Sequence, residues 1–200
     1  MPSGYTQRYL TEVAALAAQL DPARIDRMID LLLDVRARQG RLFFLGVGGG
    51  AGHASHAVND FRKIAAFEAY APTDKVSELT ARFIDDGWDS AYANWLRGSR
   101  LCNRDAVFVF SVGGGNVEHQ VSMNLVASLA LARQTGASIL GVVGRDGGYT
   151  AQVADACLVV PTLSAETITP HTEEFQAVVW HLLVSHPRLR AHEMKWESAK

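Results

Sequence analysis

Leu42-Phe43-Phe44-Leu45 runs directly into Gly46-Val47-Gly48-Gly49-Gly50-Ala51-Gly52. Four consecutive apolar residues leave no polar face, so as a strand this run belongs inside a parallel sheet covered on both sides. The glycines suit a tight strand-to-helix turn, and residues 51–64 continue with helical character. The layout recurs: Ala106-Val107-Phe108-Val109-Phe110 leads to Gly113-Gly114-Gly115, and Ser138-Ile139-Leu140-Gly141-Val142-Val143 leads to Gly144, Gly147 and Gly148. Of the 17 glycines, 12 fall in these three windows once Gly141 is counted with the third, and the windows therefore set the architecture. Strands and helices in alternation imply an α/β fold of right-handed βαβ units, a parallel sheet flanked by helices. Ligands of such sheets bind beyond the carboxyl ends of the strands, where all three windows lie.

Outward from these strands, residues 5–20 carry Leu10, Val13, Ala14, Ala17 and Leu20 at helical spacing. Asp21-Pro22 supplies an N-cap and a first-turn proline. Ile25, Met28, Ile29, Leu32 and Val35 then form one face of a second helix that stops before Gly40. This N-terminal hairpin precedes every strand, so it covers the sheet, a partner subunit, or both. Ala69-Tyr70-Ala71 reads as a weak strand, and 76–83 and 88–98 as helices around a turn at Asp85-Asp86-Gly87. Asn116 is placed to cap a long apolar helix to about Gln134. Leu158-Val159-Val160 is a further short strand, and 171–185 a last helix ended by Pro187. The polar tail from Arg188 to Lys200 either frays or pairs with another subunit. With no composition break and no internal repeat, residues 1–200 read as one domain: a helical hairpin over 1–39, an α/β core over 40–186 and a tail over 187–200.

Composition narrows the function. The 200 residues are 48% apolar, enough for one sizeable core and too apolar for disorder. Nineteen basic against 21 acidic residues give a net charge of −2, no electrostatic match for nucleic acid or an anionic membrane. No apolar run reaches the roughly 18 residues of a membrane span. Cys102 and Cys157 make no disulfide framework, and Met1-Pro2-Ser3-Gly4-Tyr5 lacks a signal-peptide layout, so a reducing cytoplasm is expected.

A glycine loop entering a helix offers free backbone N–H groups and the positive end of the helix dipole, which suits a phosphate. The plainer alternative is that the glycines only make turns. The loops are neither a Walker A motif nor a clean GxGxxG fingerprint. Two helices carry candidate metal ligands. His53, His56, Asn59 and Asp60 follow the first window, with His56 and Asp60 one turn apart on one face. Later, Glu174 to His181 is i, i+7 and Glu173 to His181 is i, i+8, about 80° apart in azimuth. Nitrogen and oxygen donors on two facing helices suit a divalent metal such as zinc; solvated salt bridges are the alternative. His119, His186 and His192 receive only that second reading.

Together these parts resemble the SIS (sugar isomerase) fold and, within it, the bacterial phosphoheptose isomerases, from the N-terminal helices to about residue 186. Gly46-Val47-Gly48-Gly49-Gly50-Ala51 with His56 and Asp60 is similar to the family's GNGGSA…H…E segment. Residues 79–87 are similar to its T-A-x-x-N-D-x-G turn, and Ser111-Val112-Gly113-Gly114-Gly115-Asn116 stands where it has STSGNS. Gly144-Arg145-Asp146-Gly147-Gly148, Ala154-Asp155 and Val160-Pro161 match its G-K-D-G-G…A-D…VP stretch, the most specific part.

The resemblance implies a three-layer sandwich and a metal-assisted aldose–ketose isomerase. Its substrate would be sedoheptulose 7-phosphate, converted to D-glycero-D-manno-heptose 7-phosphate for heptose and lipopolysaccharide biosynthesis. It implies Asp60 as base and His181 as acid. It implies zinc or another divalent metal, one per active site, held by His56, Asp60, Glu173 and His181. Gly48, Gly49, Gly50, Ser111, Gly113, Gly114 and Asn116 would line the sugar-phosphate pocket, with Asp85 at its edge. It also implies a homotetramer with active sites shared between subunits. Asp60 and Glu173 replace the family's glutamate and glutamine. Gly50, Val112, Gly113 and Gly115 replace side chains of its phosphate cradle, leaving backbone. Two other readings accompany this one: a non-catalytic SIS tetramer that binds the bacterial replication initiator, and a sugar-phosphate sensor.

Overall fold

The structure, a computed structural model, describes residues 4–194; the expectations for Met1-Pro2-Ser3 and for the end of the tail, 195–200, lie outside the described residues. The elements are α1 (Tyr5–Gln19), α2 (Pro22–Ala37), β1 (Leu42–Gly46), α3 (Gly49–Lys63), β2 (Ala69–Tyr70), α4 (Val76–Asp85), α5 (Trp88–Gly98), β3 (Ala106–Ser111), α6 (Met123–Thr135), β4 (Ser138–Val143), α7 (Gly148–Val153), β5 (Ala156–Val159) and α8 (Ile168–Ser185). The strands form one sheet in the order β2-β1-β3-β4-β5, every neighbouring pair parallel. β1 is buried along its whole length, as its unbroken apolar run requires.

Alternate residues of the central strands feed two separate cores. Phe44, Phe108 and Phe110 pack with Met28, Leu32, Phe61, Phe175 and Trp180 under α2, α3 and α8. Phe43, Leu45, Val107 and Val109 pack with Tyr92, Leu96, Leu125 and Leu129 under α5 and α6. Each buried ring contributes about 1.5–3 kcal/mol of transfer free energy. The result is the expected three-layer sandwich, with the N-terminal helical pair on one outer layer. Asp21 caps α2, its side chain accepting from the Ala23 N–H at 2.9 Å, and Pro22 opens the helix.

Three local expectations are corrected. Asn116 caps no helix. Its backbone pairs with Val121 in both directions, at 2.9 and 3.0 Å, and its Oδ1 accepts from the His119 N–H at 2.7 Å. It closes a tight turn, and α6 starts only at Met123, behind Ser122 at φ 53°. The last helix begins at Ile168 rather than 171, with Pro170 in its first turn, where a missing N–H costs nothing. The tail is not frayed through His192. Leu189 is fully buried, Arg36 Nη1 donates to its carbonyl at 2.6 Å, and the Ala191 and His192 N–H groups reach Ile64 O at 2.9 Å.

Much of the glycine clustering comes from backbone meeting backbone. A Cβ on Gly114 would collide with Gly147 O, and one on Gly148 with Gly113 O and Gly115 O. Thr150 donates both its N–H and its hydroxyl to Gly114 O, at 2.9 and 2.7 Å. The loops after β3 and β4 are thereby welded together at the carboxyl end of the sheet. Gly50 is closed in the same way, by Phe110 O of the neighbouring strand.

Candidate active site and metal centre

α3 and α8 pack side by side over one face of the sheet, and their facing residues build a polar cluster in an apolar groove. Asp60 projects from the third turn of α3 and is 2% exposed. Its Oδ2 lies 3.6 Å from His56 Nε2 and 3.5 Å from His181 Nε2. Trp180 Nε1 donates to the same oxygen at 3.3 Å, and Asn59 Nδ2 donates to Oδ1 at 3.0 Å. The i, i+4 spacing brings His56 over Asp60, and α8 supplies His181 from the other side. Trp180 and Asn59 thus donate to a carboxylate that burial alone would penalise, and two imidazoles lie close beside it.

His181 is fixed in one tautomer. Its Nδ1 lies 2.8 Å from Ala177 O, a pure acceptor, so Nδ1 carries the proton and Nε2 turns its lone pair toward Asp60. One ligand atom from each of His56, Asp60 and His181 lies within 4.8 Å of the others. Four-coordinate zinc with bonds near 2.0–2.1 Å sets neighbouring ligand atoms about 3.3 Å apart. The 3.5 and 3.6 Å contacts come close to that spacing. The cluster has the donor set and the compactness to hold a divalent metal ion.

Glu173, expected as a fourth ligand, stands elsewhere. Its carboxylate lies where a Cβ on Gly49 would be, against the first turn of α3. Eight residues separate it from His181 along α8, a rise of about 12 Å. The His53 ring lies tilted at 53° to that of Trp180, with centroids 5.0 Å apart. Burial pushes the His53 pKa down, and the Glu173 charge partly offsets that.

A second feature sits at the carboxyl end of β1, β3 and β4: a cavity of about 590 Å³ whose lining includes Val47, Ser111, Gly113, Asn116, His119 and Arg145. Of the expected pocket residues it contains Ser111, Gly113 and Asn116. Gly48, Gly49, Gly50 and Gly114 do not line it, and Asp85 is exposed at the end of α4. His119 and Arg145 line it unexpectedly. His119 arrives there because the Asn116 turn displaces the helix, and Arg145 because the loop after β4 adopts φ 53° at that residue. Trp180 was also missed, although its place one residue before His181 on a helix facing α3 was a usable signal.

The phosphoheptose isomerase of Solidesulfovibrio magneticus is 32% identical to this chain over 183 residues, covering 88% of it and 84% of that protein. The chain belongs to the phosphoheptose isomerase family. The lincomycin biosynthesis protein LmbN of Streptomyces lincolnensis is 29% identical over 192 residues, covering 91% of this chain and 68% of LmbN. Among solved structures, the phosphoheptose isomerase GmhA of Neisseria gonorrhoeae superposes with a TM-score of 0.79 at 20% identity, covering 92% of this chain and 98% of that one. No protein-family model matches the chain. Within this family's fold, no helix among the described residues is long and apolar enough to cross a membrane.

Proposed function

We propose that this member of the phosphoheptose isomerase family is a metal-assisted aldose–ketose isomerase of a sugar phosphate, converting sedoheptulose 7-phosphate to D-glycero-D-manno-heptose 7-phosphate through an enediol. The observation that carries this reading is the buried Asp60 carboxylate held between two imidazoles, one of them locked in a single tautomer. A binding scaffold or a sensor has no use for that arrangement.

The reaction requires a base at carbon and an acid at oxygen. Asp60 takes a proton from the carbon beside the carbonyl while His181, charged and donating through Nε2, protonates the carbonyl oxygen; an enediol results. The neighbouring hydroxyl then returns its proton to His181, and Asp60 delivers the carbon-bound proton to the adjacent carbon. Nδ1 of His181 stays bound to Ala177 O throughout, so one ring nitrogen handles both transfers. Trp180 and Asn59 keep the carboxylate aimed. His56, Asp60 and His181 would hold zinc or another divalent ion, His181 through Nε2 only while that nitrogen carries no proton, so that it serves as ligand or as acid but not as both at once. Such an ion, when bound, polarises the carbonyl and stabilises negative charge on the enediolate.

Ser111, Gly113 and Asn116 support a sugar-phosphate pocket in the cavity. His56 and Asp60 lie about 10–16 Å along α3 from its start, as the helical rise places them. The family resemblance supports a homotetramer with active sites shared between subunits. The test is to incubate the purified protein with sedoheptulose 7-phosphate, with and without zinc, and follow aldose formation. Metal-dependent turnover is expected; no turnover, with no thermal shift from any sugar phosphate, would refute the reading.

A further inference from the structure

Three places at the carboxyl end of the sheet are candidates for the substrate's phosphoryl group, and the structure separates them. The first is the start of α3, behind the glycines of the first window. There the Glu173 carboxylate already lies against Gly49, and a resident anion at a helix N-terminus opposes a second one by like-charge repulsion. The second is the start of α6. The turn closed by Asn116 and Val121 intervenes, the Asn116 Oδ1 is spent on the His119 N–H, and the helix begins behind Ser122. Ser111 Oγ likewise accepts from the Gly114 N–H at 3.0 Å. The hydroxyl-and-dipole grip expected from the second window is therefore largely committed to the loop itself.

The third is the cavity wall formed by Arg145 and His119. Arg145 makes no hydrogen bond, ion pair or ring contact among the described residues, yet it holds a left-handed backbone conformation uncommon for a long side chain. The neighbouring carboxylate, Asp146, also lines the cavity, with its Oδ1 committed to its own loop, accepting from the Gly148 N–H at 3.1 Å. An unpaired guanidinium that shares the lining of a cavity of about 590 Å³ with an imidazole is a site for a phosphate dianion, which guanidinium binds through paired N–H donors.

We propose that Arg145, assisted by His119, is the phosphoryl-binding and specificity-determining residue of this chain, replacing the side-chain hydroxyls absent from its second glycine window. The inference rests on the sugar-phosphate reading above. It makes recognition depend on charge, so binding weakens as salt rises.

The test uses the full-length protein, freed of metal by chelation, and inorganic phosphate as the probe, with affinity measured by calorimetry. Arg145→Met is expected to weaken phosphate binding about tenfold or more, His119→Gln less, and Arg145→Lys to keep part of the affinity. Asp60→Asn is expected to leave it unchanged. Arg145 is exposed, so Arg145→Met should melt as the parent does. With sedoheptulose 7-phosphate, KM should rise in Arg145→Met while kcat is largely kept. Unchanged phosphate affinity in Arg145→Met, absence of phosphate binding by the parent, or an equal loss in Asp60→Asn would overturn the proposal. If the parent binds phosphate through Arg145 but turns over no sugar phosphate, the anion site stands and the isomerase reading fails.

Discussion

Replacing Gly50 by serine restores the residue found at this place in the resembled GNGGSA segment. The structure nevertheless predicts damage. A Cβ at Gly50 would come within 3.0 Å of Phe110 O, a distance that side chains do not tolerate, with Phe110 C at 3.2 Å. Both are backbone atoms of β3, a fully buried central strand, so no side chain can rotate out of the way. Either α3 lifts from the sheet or β3 bends. Overpacking of this kind costs about 1–3 kcal/mol, or about 2–12 °C in melting temperature for a chain of this size. Because α3 carries His56 and Asp60, the shift also loosens the donor cluster, and a displacement near 1 Å costs about a hundredfold in rate. Gly113→Ser is the control: a Cβ there meets nothing within 4 Å, and stability should stay within about 0.5 kcal/mol. Urea denaturation of both variants, with turnover measured alongside, makes the comparison. A Gly50→Ser protein as stable as its parent, with improved sugar-phosphate affinity, would refute the reasoning.

Trp180→Phe removes the indole N–H 3.3 Å from the buried Asp60 Oδ2. It should destabilise the fold by about 1.5–3 kcal/mol in urea titrations and weaken metal binding about tenfold or more, read by competition with a chelating dye. At the α1–α8 contact, His171 Nε2 lies 2.9 Å from Glu12 and Nδ1 2.9 Å from Glu174. Burial works to lower the His171 pKa, but the bonds to Glu174 and Glu12 outweigh it and hold it above the ordinary 6.5. The stability this contributes is fully present below about pH 6.5 and lost as pH rises through the raised value. The bond to His171 first, then that from Thr167, holds the Glu12 pKa below 4.5, so its share is lost on the acid side instead. Denaturation series should show the parent losing stability as pH rises above about 6.5, a loss that His171→Gln removes.

The sheet was legible because its three central strands are apolar on both faces, a pattern only a covered parallel sheet satisfies. His56, Asp60 and His181 were legible because i, i+4 spacing places donors on one helix face wherever that helix packs. Glu173 entered the expected metal set through the resemblance, and helical geometry alone argues against it: eight residues along α8 leave it about 80° in azimuth and about 12 Å in rise from His181. Asn116 was misread because its side chain serves a helix cap and a tight turn by the same hydrogen bond. Gly50 looked like a lost hydroxyl because the atom that forbids a side chain there, Phe110 O, comes from a strand sixty residues away. The presence of Arg145 and His119 in the cavity lining follows from that turn and from one left-handed residue, neither written in local composition.

The isomerase reading stands or falls on whether Asp60 moves a carbon-bound proton. The most direct measurement is deuterium incorporation into the sugar phosphate in D2O, followed by NMR for the metal-loaded parent and for Asp60→Asn. The parent should place deuterium on the carbon beside the carbonyl as it isomerises, and Asp60→Asn should place essentially none. Incorporation by Asp60→Asn at the parent's rate would contradict the account.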